Sequence, residues 1–442
     1  MHVLVIVIPI LLSVISVLLA LLQHCYFPTT VYKRASIYYN TPEFEDLIPT
    51  DKKSFELGYP IAMDLHNEDL VLNDLTSALK FELKDIGKAA GPSKRQMGTD
   101  SEVYNTIQAA LAFKMIGKGN KAMKLFEHAS AMAPDNADVL NWYGEFLEQH
   151  DIVTADELYF KALTYSPDHQ AALSNRKRTA PVVDRLDLKL FQEIDKLKDV
   201  LKNRMKLDNF DAVKKQAYYL HIYHTIGIEG NTMTVEQLRY VLETGHVVSG
   251  KSLLEHNEVL GLEKAMQYVK LLTRTEYIGV KEILGIHRRV MGHVDPIKSG
   301  VFRAEKVFIG SHVPPPHEEI PSLMENYVEW LNSEEAYTMH PVRHAALAHY
   351  KLVDIHPFVD GNGRTSRLIM NLILLKAGYP PAMILKEQRE KYYDTLKAAN
   401  VGDVKPFVRF VAQCTLQILD MYLHGTRSLS LDGPDQQEIL EI

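Results

Sequence analysis

One short segment of the chain, residues 356–367, holds residue types that suit phosphate binding and proton transfer. It reads HPFVDGNGRTSR and is followed directly by the apolar run LIMNLILLKAG. A glycine-rich turn that leads into a helix directs free backbone N–H groups and the positive end of the helix dipole at one point, where an anion is stabilised. Arg364 and Arg367 add forked donors that match phosphate oxygens. One carboxylate, that of Asp360, together with substrate phosphates is a usual way of holding Mg²⁺. The segment therefore predicts a site for a nucleoside polyphosphate.

His356 precedes Asp360 by four residues, which places an imidazole near the same bound group. Because the pKa of histidine lies near neutral pH, this side chain suits the removal of a proton from an attacking hydroxyl, a contribution of ~10² to 10⁴ in rate. Attack on a metal-bridged phosphate is the reaction that such a set predicts. Taken singly, a turn glycine, a core histidine or a solvated arginine would explain each residue. Their joint spacing beside an apolar helix favours a common role.

Composition narrows the class of protein. With 442 residues the chain is long enough for two or three domains. It has 49 Lys+Arg against 56 Asp+Glu and a net charge of -7, so no basic surface is indicated and nucleic acid is not expected as a partner. The cysteines, Cys25 and Cys414, are too few for a disulfide-rich scaffold.

The N-terminus contains a long apolar stretch. No charged residue occurs over residues 3–22, and a helix of that length spans about 30 Å, the thickness of a bilayer core. A cleaved signal peptide is the alternative, but it needs a basic start, a shorter apolar run and small residues at a cleavage site, which LLALLQHCYF lacks. We therefore expect a transmembrane anchor over residues 1–24. Lys33 and Arg34 follow it, so the positive-inside rule weakly places the large domain in the cytosol.

A mixed polar stretch, residues 25–100, is interpreted as a linker or stalk, and the chain after it repeats itself with a period of 33 residues. The matched pairs are Phe113/Phe146, Ala122/Ala155, Phe126/Tyr159, Ala129/Ala162, Pro134/Pro167 and Asp135/Asp168. Small and aromatic residues at helical spacing, closed by Pro-Asp, are typical of the tetratricopeptide repeat of ~34 residues. We expect two such helical hairpins over residues 101–176, a partner-binding array that needs a cap. A stripe of apolar residues predicts that cap as a linker helix over residues 177–210: Leu186, Leu190, Ile194, Leu197 and Leu201.

The remaining pattern, over residues 211–426, is mainly helical. TVEQLRYVLETG predicts a helix that begins with a capping box of Thr234 and Gln237 and ends at Gly245. One helix is expected over residues 340–355 and another over about residues 365–377, on either side of the phosphate-binding segment. EKVFIGSHVPPP carries the one convincing signal for a strand and turn. The tail, residues 427–442, is expected to be disordered.

The segment HPFVDGNGRTSR is similar to the Fic motif, H-P-F-x-[DE]-G-N-G-R-x-x-R, and fills every specified position. The longer stretch AALAHYKLVDIHPFVDGNGRTSRLIMNLILLKAGYPP resembles the animal membrane-anchored Fic proteins, which also carry an N-terminal anchor and two tetratricopeptide-like repeats. The resemblance extends over nearly the whole chain. It implies a mainly α fold: an N-terminal transmembrane helix, two tetratricopeptide-like hairpins, a long linker helix and an all-helical Fic domain with a small β-hairpin flap.

By that resemblance, His356 is the base that activates a Ser, Thr or Tyr hydroxyl of a target protein for attack on the α-phosphate of ATP. Asp360 holds Mg²⁺, with Mn²⁺ as an alternative, and the arginines engage the outer phosphates. AMP is transferred and pyrophosphate leaves. The residues that the resemblance places around the nucleotide are Ile309, Gly310, Ser311 and His312 of the flap, Asp360, Gly361, Asn362, Gly363, Arg364, Thr365, Ser366 and Arg367 of the loop, and Tyr392 and Asn400 near the nucleoside.

A second motif concerns Glu229. The segment TIGIEGN, residues 225–231, is similar to the family's inhibitory motif, [ST]-x-x-x-E-[GN]. Without the Fic motif, Glu229 would be interpreted as an exposed residue in the turn after a helix. With it, an ion pair between Glu229 and Arg367 would occupy donors that the γ-phosphate requires. Because a desolvated pair is costly both to form and to break, the two states lie close in energy. The resemblance also implies that Glu229 orients a water that removes AMP from the modified target.

Location and partners are implied by the resemblance alone. It implies a catalytic domain in the lumen of the endoplasmic reticulum, the chaperone BiP as protein substrate and a homodimer. Residues 247–259 are either the dimer surface, with Leu253 and Leu254 as candidates, or part of the core. The lumenal location contradicts the weak charge rule. Two alternatives stay open. One is a Fic enzyme that transfers another group, such as UMP, phosphate or phosphocholine, and the other is a repeat scaffold whose Fic domain binds a nucleotide without catalysis.

Overall fold

The computed structural model describes residues 99–205, 210–309 and 312–428. Over these ranges the chain consists of α-helices and loops, two short 3₁₀ helices, His317–Glu319 and Lys386–Gln388, and one isolated antiparallel bridge between Ile309 and His312. The expected transmembrane helix, most of the expected stalk and Gly310 and Ser311 of the expected flap lie outside the described residues. Within the described ranges, no helix has both the length and the apolarity to cross a bilayer. The mainly α fold is confirmed.

Four helices form the N-terminal part: α1 (Thr99–Met115), α2 (Gly119–Met132), α3 (Ala137–Leu147) and α4 (Ile152–Tyr165). Side-chain caps begin the last two, because Asn136 accepts from the backbone N–H groups at the start of α3 and Asp151 accepts from that of Thr154 in α4. On α2, Phe126 is fully buried between two buried alanines, and Tyr159 repeats this arrangement on α4. The sequence period of 33 residues therefore corresponds to a repeated pattern of buried side chains.

The two helices of the second pair lie unusually close together. A Cβ added at Gly144 of α3 would come within 2.5 Å of the Tyr159 ring of α4, so only glycine permits this packing. The Tyr159 hydroxyl donates to the Glu148 carboxylate at 2.9 Å. Close helix packing around small residues explains why glycine and alanine recur in this part of the sequence.

A helix of 35 residues, α5 (Gln170–Arg204), connects this part to the rest of the chain. It continues without a break through the predicted boundary between residues 176 and 177. Of the predicted apolar stripe, Ile194 and Leu201 are buried, whereas Leu186 is exposed. α5 packs on α4 at one end and on the last helix, α15 (Lys405–Ser428), along its length.

Ion pairs tie the repeats, the connecting helix and the C-terminal part together. Arg409 of α15 donates twice to the Asp187 carboxylate of α5, at 2.8 and 3.0 Å, and once to Glu157 of α4, at 2.7 Å. Burial raises the pKa of Glu157 to about 7 in spite of this cation. Lys405 adds a bond of 2.6 Å to Asp184. These contacts fix the orientation of α5 on the C-terminal part.

The C-terminal part surrounds one central helix, α13 (Asn362–Lys376). Every residue from Leu368 to Leu375 in it is buried, because four helices pack around it: α6 (Phe210–Ile228), α8 (Leu253–Leu272), α9 (Val280–Met291) and α12 (Pro341–Ile355). Such all-round burial fits its apolar sequence and holds its N-terminus in a fixed position. The other helices of this part are α7 (Val235–Thr244), α10 (Ile320–Leu331), α11 (Glu334–Thr338) and α14 (Arg389–Asn400).

Several local predictions are confirmed and two are corrected. The capping box of Thr234 and Gln237 is present, and Gly245 ends α7 with a φ of 72°. α13, however, begins three residues earlier than predicted, because the left-handed conformation of Gly361, with a φ of 77°, already turns the chain into the helix. Among the described residues of EKVFIGSHVPPP, the structure shows a single bridge rather than strands. A two-stranded hairpin without a third strand is marginal in water, and Phe308 within it is 78% exposed.

Candidate active site

His356 stands at the C-terminal end of α12, where the helix stops abruptly. Its φ of 50° makes it the only residue other than glycine with a positive φ in the described ranges, and its backbone N–H donates to the carbonyl of Leu352 at 3.0 Å. A left-handed residue after the last turn is a common way to end a helix, although glycine usually supplies it. The conformation directs the chain away from α12 and into the loop that precedes α13.

The imidazole of His356 is prepared to accept a proton. Its Nδ1 lies 3.2 Å from the carbonyl oxygen of Val353, and since a carbonyl only accepts, Nδ1 carries the hydrogen and Nε2 carries the lone pair. Burial lowers the pKa of His356 to about 4, and the charges of Arg303 and His312 lower it further. The bond to Val353 and the charge of Asp360 raise the pKa, but they do not offset the burial. The side chain is therefore neutral at physiological pH, which is the form that a general base requires.

The loop before α13 is closed by its own side chains. Asn362 accepts from the backbone N–H of Phe358 at 3.0 Å and donates to the carbonyl of the same residue at 2.9 Å. The Asp360 carboxylate accepts from the N–H of Gly361 at 2.6 Å. A Cβ at Gly361 would meet the Met291 sulfur at 2.9 Å, so both its φ and its surroundings require glycine. The loop thus presents the first N–H groups of α13, which have no partner within the helix.

A buried histidine of α9, His287, contacts this loop through a hydrogen bond and a ring stack. His287 stacks on the Phe358 ring at 3.6 Å between centroids and 3° between planes. Its Nδ1 accepts from the N–H of Gly300 at 2.8 Å, so Nε2 carries the hydrogen that is donated to the carbonyl of Asp360 at 2.9 Å. Burial lowers the pKa of His287 to about 4, which keeps this neutral tautomer in place.

Arg364 and Asp360 form the outer side of the site. Arg364 is buried, donates to the Asp360 carboxylate at 3.1 Å and lies 3.6 Å from the Glu258 carboxylate. The Asp360 side chain itself is 64% exposed, so its carboxylate remains accessible to solvent. This corner combines a solvent-facing carboxylate with a buried cation.

Glu229 and Arg367 form the ion pair that the inhibitory motif predicts. Arg367 Nη2 lies 2.5 Å from Glu229 Oε1 and 3.1 Å from the carbonyl of Thr225. Arg367 is 2% exposed and the Glu229 side chain 26%. Burial lowers the pKa of Arg367, but Glu229 and Tyr392 together raise it above its usual value. Glu229 is therefore paired, and the alternative of a freely exposed turn residue is wrong.

The position of the Glu229 carboxylate is as informative as its partner. A Cβ built on Gly363 would lie 2.9 Å from Glu229 Oε1 and 3.1 Å from Arg367 Nη1. The carboxylate thus sits against the first turn of α13, where the helix dipole favours an anion. It occupies the helix N-terminus at which the sequence predicts a bound phosphate group.

The turn that carries Glu229 is fixed on both sides. Gly230 adopts a φ of 104°, and the Asn231 amide donates to the Glu258 carboxylate at 2.8 Å and to the Glu255 carbonyl at 3.1 Å. Burial raises the pKa of Glu258, and its two contacts lower it only in part. Because Glu258 contacts both Asn231 and Arg364, the turn and the phosphate-binding loop share one partly buried carboxylate.

The remaining predicted residues differ in their placement. Tyr392 is buried, lies with its ring 5.9 Å from the Arg367 guanidinium and contacts His349 through its hydroxyl at 3.0 Å. Asn400 is exposed at the end of α14. Thr365 and Ser366 are buried within α13, where the Ser366 hydroxyl donates to the carbonyl of Asn362. Ile309 and His312 form the isolated bridge, and Gly310 and Ser311 between them lie outside the described residues.

The donors of this site fit a polyphosphate. Buried nitrogens Nε and Nη1 of Arg364 and of Arg367 have no hydrogen-bond partner among the described residues. Buried charged donors are costly unless they are satisfied, and phosphate oxygens match their forked geometry. No group of three His, Cys, Asp or Glu side chains is arranged for a metal within the described ranges. A divalent cation at Asp360 would therefore share its ligands with phosphate oxygens and water, as Mg²⁺ usually does.

Three residues with direct contacts to the loop were not found by sequence reasoning: Arg303, His287 and Glu258. Arg303 donates through Nε to the carbonyl of His356 at 2.8 Å, and His287 to that of Asp360, 73 positions along the chain. A side chain that acts on a distant backbone carbonyl leaves no local pattern, so no spacing rule identifies it.

Comparisons with known proteins identify the family of the chain. Residues 277–374 match the profile of the Fic/DOC family. The chain is 51% identical over 397 residues to protein adenylyltransferase Fic of Aedes aegypti, a match that covers 88% of this chain and 80% of that protein. It is 49% identical over 366 residues to the protein of the same name from Culex quinquefasciatus, covering 81% and 73%. The structure of Fic-1 from C. elegans superposes with a TM-score of 0.68 at 38% identity, covering 73% of this chain and 99% of that one.

The chain therefore belongs to the Fic family, and the resemblance drawn from HPFVDGNGRTSR is confirmed. Its fold is the helical Fic fold. The match extends well beyond the motif, because the aligned part of the Aedes aegypti protein covers most of both chains.

Proposed function

We propose that this protein transfers AMP from ATP to Ser or Thr hydroxyls of a target protein. The proposal rests on the imidazole of His356. Its bond to Val353 leaves the lone pair on Nε2, and the residue lies in the segment that leads into α13 with its two buried arginines. The names of the relatives, protein adenylyltransferase, support the same reaction. The proposal fits the reaction class that the sequence predicts, attack of a hydroxyl on a phosphate.

The chemistry follows from the positions of these groups. Nε2 of His356 removes the hydroxyl proton while the hydroxyl oxygen attacks the α-phosphorus, and the bond to the β-phosphate oxygen breaks, so pyrophosphate leaves. The N–H groups of Asn362 and Gly363 stabilise the charge on the phosphoryl oxygens, whereas the Gly361 N–H is donated to the Asp360 carboxylate. The arginines bind the outer phosphates. Neutral His356 needs no deprotonation before it acts, since its pKa lies well below 7.

Asp360 is the residue that would hold the divalent cation. Its exposed carboxylate lies at the N-terminus of α13 beside Arg364. A cation held by Asp360 would supply positive charge next to the phosphates, and Mg²⁺ or Mn²⁺ would fit an oxygen-rich site of this kind. The protein's own part is to orient Asp360, which it does through the His287 bond to the backbone of the same residue.

Glu229 controls the site in this proposal. While its carboxylate binds Arg367 and contacts the first turn of α13, the γ-phosphate cannot reach the guanidinium, so ATP binds unproductively. When the pair opens, AMP transfer proceeds. We further propose that Glu229, in another position, orients a water for the removal of AMP from the modified target. Activity in both directions would then depend on one side chain.

The test uses the full chain with Glu229→Gly, purified BiP as the target and ATP labelled at the α-phosphate. Label on the chaperone, with the modified Ser or Thr found by mass spectrometry, supports AMP transfer. His356→Ala in the same background should abolish the label while ATP binding, measured by titration calorimetry, persists. Label that persists without His356 would contradict the proposed base. Competition by UTP or CDP-choline in place of ATP would favour the transfer of another group, and nucleotide binding without any transfer would favour the scaffold alternative.

The setting of the enzyme is part of the proposal. The apolar residues 3–22 support an anchor that holds the catalytic domain at a membrane, and we propose the lumenal side of the endoplasmic reticulum. Protease treatment of intact microsomes tests this, since cleavage without detergent would place the domain in the cytosol. We also propose that α1–α4 are two tetratricopeptide-like repeats that recruit the target.

A homodimer is proposed through the start of α8, where Leu253 and Leu254 are exposed. Exposed neighbouring leucines are typical of a surface that is covered by a partner. Leu253→Asp should convert a dimer to a monomer in light scattering. An unchanged mass would contradict this surface.

A further inference from the structure

Arg303 makes contacts that no nucleotide-binding role requires. It is buried, and its guanidinium donates to three backbone carbonyls: Nε to His356 at 2.8 Å, Nη1 to Glu305 at 3.0 Å and Nη2 to Pro315 at 2.7 Å. Its own backbone N–H donates to the carbonyl of Pro357 at 2.9 Å. One side chain thus connects the backbone at the catalytic histidine with both ends of the flap segment, which we define as residues 305–315.

The burial of this cation is costly, which argues against a role in packing alone. Its three side-chain partners are neutral carbonyls, and burial lowers the pKa of Arg303. An apolar side chain would fill the same space without desolvating a charge. Only a planar fork with several donors reaches three carbonyls from one position, and a lysine ammonium lacks that geometry.

The contact with His356 acts on a strained residue. A φ of 50° is uncommon for any residue with a Cβ, and such a conformation persists only where its surroundings fix it. The His356 N–H is held by Leu352 and its carbonyl by Arg303, so both of its peptide groups are bonded. The direction of the imidazole follows from this backbone conformation.

The flap segment has few other ties within the described residues. It carries one isolated bridge, between Ile309 and His312, and the His312 ring contacts the carbonyl of Asp354 at 3.3 Å. Phe308 and Val313 are exposed on either side of the bridge. Since Arg303 bonds to both ends of the segment, it determines where the flap segment lies relative to the catalytic histidine.

We propose that Arg303 is a positioning residue, which holds the flap segment and the catalytic histidine in register so that a hydroxyl of a protein target reaches Nε2. The inference rests on the proposed transfer of AMP to a protein. It assigns to Arg303 an effect on the step that involves the target and none on the binding of ATP, because the phosphate-binding loop is held separately by Asn362 and His287.

The experiment compares Arg303→Lys and Arg303→Met with the full Glu229→Gly chain. Transfer of labelled AMP to BiP gives kcat and KM, and calorimetry gives the Kd for ATP. We expect kcat to fall on the order of 10²-fold in both variants, since a reactant displaced by about 1 Å loses that much, while the Kd for ATP stays unchanged. Arg204→Lys is the matched control, because Arg204 also donates to a backbone carbonyl, that of Leu423, but far from the site.

A second measurement reports on the flap segment without using activity. Chymotrypsin should cut after the exposed Phe308 faster in both Arg303 variants than in Arg204→Lys, while the thermal transition of the chain is retained. Unchanged kcat in Arg303→Lys, or equal losses of ATP affinity and kcat, would overturn the proposal in favour of general structural support. Slow cleavage at Phe308 in both variants would do the same. If the Glu229→Gly chain transfers no AMP at all, the proposed function fails, and this inference fails with it.

Discussion

Removal of the Glu229 carboxylate is the perturbation with the largest expected effect on activity. Arg367 is 2% exposed and lies 2.5 Å from Glu229, so its exchange of partners from a carboxylate to the γ-phosphate requires breaking a desolvated pair. Loss of one partner of a buried pair costs ~3–5 kcal/mol, and each 1.4 kcal/mol is a factor of about ten. The carbonyl of Thr225, at 3.1 Å, remains as a partner of Arg367, so we take the lower end. Glu229→Gly should raise AMP transfer about 10²-fold.

The same pair predicts an effect on stability that activity alone would not show. Without Glu229, Arg367 is a buried cation with only a neutral partner, so the chain without ATP should melt several degrees lower. ATP should stabilise this variant more than the parent, because its γ-phosphate replaces the missing carboxylate.

The assay is the initial rate of labelled AMP transfer, with thermal unfolding measured with and without ATP. Glu229→Gln, which keeps an acceptor but loses the charge, should be intermediate. Asp211→Asn, at the exposed other end of α6, is the control and should behave as the parent. A Glu229→Gly chain that is folded but no more active than the parent would refute the reasoning.

Three further predictions concern the surroundings of the loop. Gly363→Ala places a Cβ 2.9 Å from Glu229 Oε1, so it should lower the free energy of unfolding by ~1–3 kcal/mol. The loss should be smaller in the Glu229→Gly background, which a double-mutant cycle of denaturant unfolding measures. Because burial lowers the pKa of His356 to about 4 and only the neutral imidazole accepts a proton, kcat/KM should fall on the acid side near pH 4 and not near pH 6.5; a loss near pH 6.5 with the fold intact would contradict this. His287→Leu leaves the carbonyl of Asp360 without its donor, so unfolding in urea should show a loss of ~1–3 kcal/mol and transfer should fall.

The chemistry of this protein is concentrated in one stretch of sequence, which is why it was predictable. His356, Asp360 and Arg364 lie within nine residues, and a loop between two helices brings such neighbours together in almost any fold. The ion pair of Glu229 with Arg367 spans 138 positions and required a second motif. Its prediction depended on the resemblance to a family, since the turn alone favoured an exposed glutamate.

The errors have equally local reasons. EKVFIGSHVPPP has the β-branched and aromatic residues of a strand, but pairing depends on a neighbour that the fold does not provide in the described residues. The predicted start of α13 lies three residues too late, because Gly361 acts as the N-cap and the helix already begins at Asn362. Arg303 and His287 escaped prediction since they bond to backbone carbonyls that lie 53 and 73 residues away.

The all-round burial of α13 determines which member of the inhibitory pair is able to move. Arg367 is anchored on a helix that four others enclose, so any displacement of its backbone would disturb the entire core. Glu229 stands one residue past the end of α6, before a glycine with a φ of 104°. Under the proposed control by Glu229, activation is a departure of the carboxylate from a stationary guanidinium, and a signal that reaches the end of α6 would release the enzyme without rebuilding its catalytic centre.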